Sequence, residues 1–318
     1  MQRTKTKSRD ESILPLPLAK SYDAPQDFSI FESTEPMLNY FGDIVKYFKS
    51  SKASITSVHI NIQSVTRVTI DSIIYLLAIM RHAEQGKSLI IGGNFPANSL
   101  ITQHIVDSGF LKHVDLRIPL AHKASSDCFQ ITTGTLVEAR LAGLVCDYCY
   151  QKLGITTKDC KFLLPMLNEL MKNTLHHAYE KKGALVNIKE WYLFVENASD
   201  CLKFTFLDTG NGIPSTVSKQ VKEHIIDALT ASKDSEYLHS VFRGDFRSAI
   251  KKPGRGNGLP EIYSRCKEGA IQNLKVISGK GFFGYNGNND IVTELACAPL
   301  EGTLFYWEVS KAQYRKVI

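Results

Sequence analysis

The apolar positions of the chain change their rhythm about one third of the way along. In Ser57–Ile62, Val58, Ile60 and Ile62 alternate with polar neighbours, which predicts a strand. Asp71 can cap a helix that runs to about Glu84 and ends at Gly86. Ser88–Ile91 then reads as a short apolar strand, and Ala97–Ser108 as a helix stopped by Gly109. Strands alternating with helices predict a mostly parallel sheet. Residues 115–130 break this pattern and read as a linker. Helices follow near Leu136–Leu153 and Lys158–Glu180. Beyond them strand signals dominate. Val186–Glu196 and Cys201–Leu207 are joined by Asn-Ala-Ser-Asp, a hairpin-turn composition. Later strands are expected at Leu274–Ser278, Ile291–Cys297 and Thr303–Val309. Residues 1 to about 25 are polar with scattered prolines and read as a loose arm.

Composition narrows the class. A chain of 318 residues with 43% apolar content predicts two domains, each with its own core. The basic, polar start MQRTKTKSR is not followed by an apolar run, so it does not read as a signal peptide. The longest apolar stretch, Ile73–Met80, is too short to span a membrane. Seven scattered cysteines read as reduced cytosolic thiols, and the expected location is cytoplasmic. Cys146 and Cys149 form a C-x-x-C, but no second pair completes a metal site. The net charge of +6 suits a phosphate pocket, and no aromatic platform accompanies it to suggest nucleic acid.

Three segments of the second half carry candidate chemistry. In the expected helix, Glu169, Asn173 and His177 fall on one face. An amide oxygen there can ligate Mg²⁺, and a carboxylate one turn away can activate water or a hydroxyl. The same stripe also reads as an ordinary solvated helix face. Next, an apolar strand ends in Asp208-Thr209-Gly210-Asn211-Gly212-Ile213. A carboxylate at a strand end can accept a hydrogen bond from an exocyclic amine, and the glycines let a ligand approach. A plain β-turn has the same composition. Finally, Lys252-Pro253-Gly254-Arg255-Gly256-Asn257-Gly258-Leu259 runs into a helix start marked by Pro260. Free N–H groups at that end, with Lys and Arg nearby, make an anion cradle.

Together, in this order and spacing, the three segments resemble the GHKL (histidine-kinase-like, Bergerat-fold) ATPases. Glu169 and Asn173 match the N box. Asp208, Gly210 and Gly212 match the D-x-G-x-G box, and Gly254, Gly256, Gly258 and Leu259 match the glycine-rich box. Glu301-Gly302-Thr303 is similar to the family's terminal G-T. The resemblance covers about residues 130–310. It implies an α/β sandwich, a mixed sheet with helices on one face, binding ATP and Mg²⁺. It further implies that Asp208 reads the adenine amine with Thr303 in support, that Asn173 ligates Mg²⁺ and that the 254–259 loop wraps the phosphates. His177, Ile213, Lys252, Arg255 and Asn257 join the binding set, with Glu169 as the catalytic base and residues 215–253 as a mobile lid.

The run E-x-x-x-N-x-x-x-H-A-Y resembles the anti-sigma-factor-kinase branch. Val58–Val114 resembles a STAS domain, through its strand at 58–62, Asp71-Ser72 at a helix start and Asp107-Ser108-Gly109-Phe110. In that family the serine of the Asp-Ser pair can be a phosphate acceptor; Ser72 equally reads as a helix-cap residue. His82, His104 and His113 read as ordinary histidines. The expected organisation is an arm at 1–25, a STAS-like α/β domain at 26–118, a linker at 119–130, a GHKL domain at 131–311 and a tail at 312–318. The implied function is an ATP-hydrolysing, nucleotide-gated regulatory switch. A serine/threonine kinase acting on a STAS protein and a non-catalytic nucleotide-sensing scaffold are the alternatives. Implied partners are ATP, a STAS-domain or other regulatory protein, and a second copy in a homodimer.

Overall fold

The computed structural model describes residues 20–50, 55–86, 88–114, 127–154, 159–176, 190–216, 233–245 and 258–311. Its first half is built from β1 (Lys20–Asp23), β2 (Asp27–Phe28), α1 (Thr34–Ser50), β3 (Ile55–Asn61), β4 (Arg67–Val68), α2 (Ile70–Gly86), β5 (Ser88–Gly93) and α3 (Ser99–Asp107). The parallel sheet expected there forms in the order β1-β3-β5, with β2 and β4 as a second parallel pair. Lys20–Asp23 was expected in a loose arm. It is instead an edge strand, because its backbone pairs with Val58–Asn61. Helix α1 buries Met37, Leu38, Phe41, Ile44, Val45 and Phe48, a stripe at helical spacing.

The second half comprises β6 (Cys128–Gly134), α4 (Ala139–Leu153), α5 (Leu163–His176), β7 (Trp191–Ala198), β8 (Cys201–Asp208), α6 (Ile213–Thr216), α7 (Asp234–Arg243), α8 (Gly258–Lys267), β9 (Gln272–Gly279), β10 (Gly281–Tyr285), β11 (Asp290–Glu294) and β12 (Leu300–Ser310). Its seven strands form one sheet in the order β11-β10-β9-β12-β8-β7-β6. Every pairing among them is antiparallel, so the expected mixed sheet is corrected. Cys128–Gly134, part of which was read as linker, is the strand at one edge. The expected lid at 215–253 is corrected in its middle. Leu238 and Phe242 of α7 are buried, and Phe242 stacks on Phe283 at 4.7 Å between ring centroids, so this helix belongs to the core.

Helices were expected on one face of this sheet, and both faces prove to be covered. Trp191, Leu193, Val195, Phe204, Phe206, Phe305 and Trp307 pack with residues of α4, α5, α7 and α8. Their alternates Tyr192, Phe194, Leu207, Ile277 and Leu304 pack in one continuous core with α1, α2 and the parallel sheet. Helix α2 lies against β5 and also against β8. This explains why Ile73–Ile79 is apolar on every side: the helix has no solvent face there. Among the described residues, no helix is long and apolar enough to cross a membrane.

Candidate functional site

The register of the sheet assembles one transverse row. Gly134 pairs with Trp191, Trp191 with Asp208, Asp208 with Thr303, Thr303 with Ser278, and Ser278 with Gly281. Paired residues in an antiparallel ladder share a face. Trp191 lies in the helix-side core, so Asp208, Thr303 and Ser278 point to the side that carries α5. They form a polar end to an otherwise apolar face.

The three side chains are wired together and to the turn after β8. The Gly210 N–H donates to the Asp208 carboxylate at 2.9 Å, and the Thr303 hydroxyl donates to it as well. Ser278 Oγ accepts the Ile213 N–H at 2.8 Å, donates to the Gly302 carbonyl at 3.0 Å and lies 3.0 Å from Thr303 Oγ1. Gly212 lies beside the same Ser278 hydroxyl. Ser278 was absent from the sequence-derived set. Its role arises from being the strand neighbour of Thr303, and no local motif marks it.

Asp208 is 7% exposed. Burial pushes its carboxyl up to about 6, against the Gly210 N–H and the Thr303 hydroxyl, which pull it down. At neutral pH the group is an ionised acceptor with lone pairs beyond those its two donors use. Backbone geometry fixes it in place. Between Leu300 and Thr303 the β12–β9 register shifts, a bulge that holds Glu301 and Gly302. Gly302 has φ 110°, and a Cβ there would stand 2.0 Å from the Asp208 carbonyl oxygen, so only glycine fits.

A second cluster joins the other two segments. Glu169 and Asn173 both lie on α5, half-buried, four residues apart on one face. Leu163, Met166, Leu167, Leu170 and Met171 supply the packed side. Gly258, the first residue of α8, sits directly on Glu169: a Cβ at 258 would lie 1.9 Å from Glu169 Cγ and 2.4 Å from Oε1. Glycine at 258 therefore lets the start of α8 approach the carboxylate. Leu259 and Ile213 pack at the margin of the same core. The structure thus unites Asp208, Gly210, Gly212, Ile213 and Thr303 in one cluster, and Glu169 with Gly258 in another, both on the helix side of the sheet. His177, Lys252, Gly254, Arg255, Gly256 and Asn257 lie outside the described residues, as do 1–19 and 312–318.

A magnesium ion bound through nucleotide phosphates needs only one or two protein oxygens, and the Asn173 amide can supply one. Among the described residues, no cluster of His, Cys, Asp and Glu forms a metal cage, and Cys146 and Cys149 are buried on α4. Ser72 is fully buried, with its hydroxyl unpartnered, so in this arrangement it is closed to a phosphate donor. The neighbouring Asp71, expected as a helix cap, lies within the first turn of α2, where its carboxylate accepts the Phe31 and Ser72 N–H groups. Burial and the adjacent Arg81 push His82 down to about 3, while a His113 ring nitrogen lies 3.0 Å from the Ile131 carbonyl oxygen. A cavity of about 400 Å³ opens elsewhere, between α1 and residues 298–301. Compared with known proteins, the chain matches no family model and no curated protein.

Proposed function

We propose that this chain is an ATP-binding and ATP-hydrolysing switch of the GHKL type, with a STAS-like unit packed on the back of its ATPase sheet. The observation that carries this reading is the buried Asp208 carboxylate, held by Gly210 and Thr303 and braced by Ser278. A buried, ionised acceptor at a strand end, with glycines beside it, suits an exocyclic adenine amine. Asn173 would hold Mg²⁺ on the phosphates, and the start of α8 would face them with its free N–H groups. Glu169 would take a proton from water as its oxygen attacks the γ-phosphorus. The bond to the β-phosphate oxygen then breaks, leaving ADP and phosphate.

The test is titration with ATP·Mg²⁺ by calorimetry and size-exclusion chromatography, paired with phosphate release. Wild type should bind and slowly release phosphate. Asp208→Asn should weaken binding at least about 100-fold, as expected when a charged hydrogen-bond partner is lost. Glu169→Ala should keep binding and lose most of the turnover, by about 100-fold or more. Binding with no phosphate release in either form would replace the switch with a nucleotide-sensing scaffold. Transfer of the γ-phosphoryl to a protein hydroxyl would replace it with a kinase, whose acceptor would lie elsewhere than the buried Ser72.

A further inference from the structure

Asp208 has two strand partners, Trp191 on β7 and Thr303 on β12. Both strands are gripped just before those residues by the same helix of the N-terminal unit. Glu190 immediately precedes Trp191 and is 3% exposed. Its carboxylate pairs with the Arg81 guanidinium of α2 at 3.0 Å and accepts the Tyr192 hydroxyl at 2.6 Å. Arg81 also donates to Thr133 Oγ1 of β6 at 3.1 Å. On the other side, Glu301 lies two residues before Thr303. Its N–H donates to the hydroxyl of Tyr75 at 3.0 Å, and Tyr75 is a buried residue of α2. Gly302, which has no room to move past Asp208, is the single residue between Glu301 and Thr303.

The spacing suits a brace. Tyr75 and Arg81 are six residues apart, about 9 Å of helix rise. β7 and β12 flank β8, so they are two strand spacings apart, roughly 9.5 Å. One helix can hold both neighbours of Asp208 at once. We propose that α2 positions Asp208 for its ligand by clamping the two strands beside it, with Tyr75 and Arg81 as the positioning residues. Seating of α2 on these two strands and nucleotide affinity are then one linked equilibrium. Whatever loosens α2 from the sheet moves Thr303 away from Asp208 and weakens the site. By reciprocity, nucleotide tightens that seating.

This inference rests on the ATP reading, and the test separates the two. ATP·Mg²⁺ affinity is measured by calorimetry from pH 5 to pH 8 for wild type, Tyr75→Phe, Arg81→Lys and Lys275→Ala, each with its thermal unfolding midpoint. Lys275 pairs with Glu32 at 3.0 Å, a contact between β9 and the N-terminal unit away from Asp208, and it serves as the control. Tyr75→Phe should weaken ATP at least about 5-fold. It should also move the acid limb of binding to higher pH, because a displaced Thr303 no longer helps Asp208 to ionise. A variant with merely lower stability would keep the wild-type pH profile. Arg81→Lys should shift in the same direction by less, and Lys275→Ala should leave both affinity and profile unchanged. If wild type binds ATP while Tyr75→Phe and Arg81→Lys match its affinity and profile, the clamp is wrong and the ATP reading stands. If wild type binds no ATP, both fall.

Discussion

Leu304 and Phe305 are neighbours on β12 and point to opposite faces of the same sheet, one into the core shared with α1 and α2, the other into the core under α4, α5, α7 and α8. Both are essentially inaccessible to solvent. The two faces are therefore equals in burial, and they differ in how their polar groups are used. On the helix face, the polar groups gather in the row Asp208–Thr303–Ser278, where a carboxylate is kept buried at a cost. On the other face, they tie the two units together, through Arg81–Glu190, Lys49–Glu301 and Lys275–Glu32. One face concentrates its polar groups in a single buried row, and the other uses them for attachment. The partition teaches that the N-terminal unit is part of the fold of the sheet and not a tethered passenger.

The strongest way to break that conclusion is to cut each face separately. Phe305→Ala should cost about 3–5 kcal/mol and Leu304→Ala about 2–5 kcal/mol in denaturant unfolding, in one cooperative transition. A Leu304→Ala cost under about 1 kcal/mol, or two separated transitions, would show that the N-terminal unit comes off independently.

Asp208 sharpens the contrast between the two faces. Its folded pKa of about 6 stands above the ordinary value of 3.8. The folded state therefore holds the proton more tightly than the unfolded state. The associated stability is complete below about pH 4 and is lost as pH rises through about 6. Above that, the buried charge costs up to roughly 3 kcal/mol. Asp208→Asn should be more stable than wild type by up to that amount at pH 7.5, with the advantage vanishing near pH 4. Unfolding curves at three pH values check it; an unchanged or lower stability at pH 7.5 would show that no charge cost is stored there. The smallest effect belongs to the rim of the attachment face. Lys275→Ala removes a half-exposed ion pair and should change stability by less than about 1 kcal/mol, an amount that salt further reduces.

Much of this was legible in the sequence where the signal is local. Asp208 at its strand end and Glu169 with Asn173 one turn on sit where their neighbours predict, whereas the helix expected to open at Pro260 opens two residues earlier, at Gly258. Ser278 was not legible, because only the β9–β12 register tells that it meets Thr303. Helix α1 was not among the expected elements, and its segment holds Pro36 and Gly42. Pro36 falls in the first turn, where no N–H partner is lost, and Gly42 is where Ala298 closes on the helix. Strand β10 was hidden by Gly281 and Gly284; a side chain at 281 would meet the backbone of Asp234 on α7. Trp191-Tyr192-Leu193-Phe194-Val195 contained the plainest unused clue. An antiparallel strand with one wet face alternates, and five apolar residues in a row mean that both faces are covered.

The burial of α2 on all sides over Ile73–Ile79 also bears on how the chain is made. Ile70–Gly86 leaves the ribosome some 214 residues before β12 begins at Leu300 (300 − 86). At about 5–20 residues per second, that interval is roughly 10–40 seconds. Through it, the stretch Ile73–Ile79, which ends with no solvent face, lacks the sheet that will cover it. Exposed apolar surface of this kind favours aggregation, so the arrangement that joins the two units in the finished protein also leaves this helix uncovered until the last strands arrive.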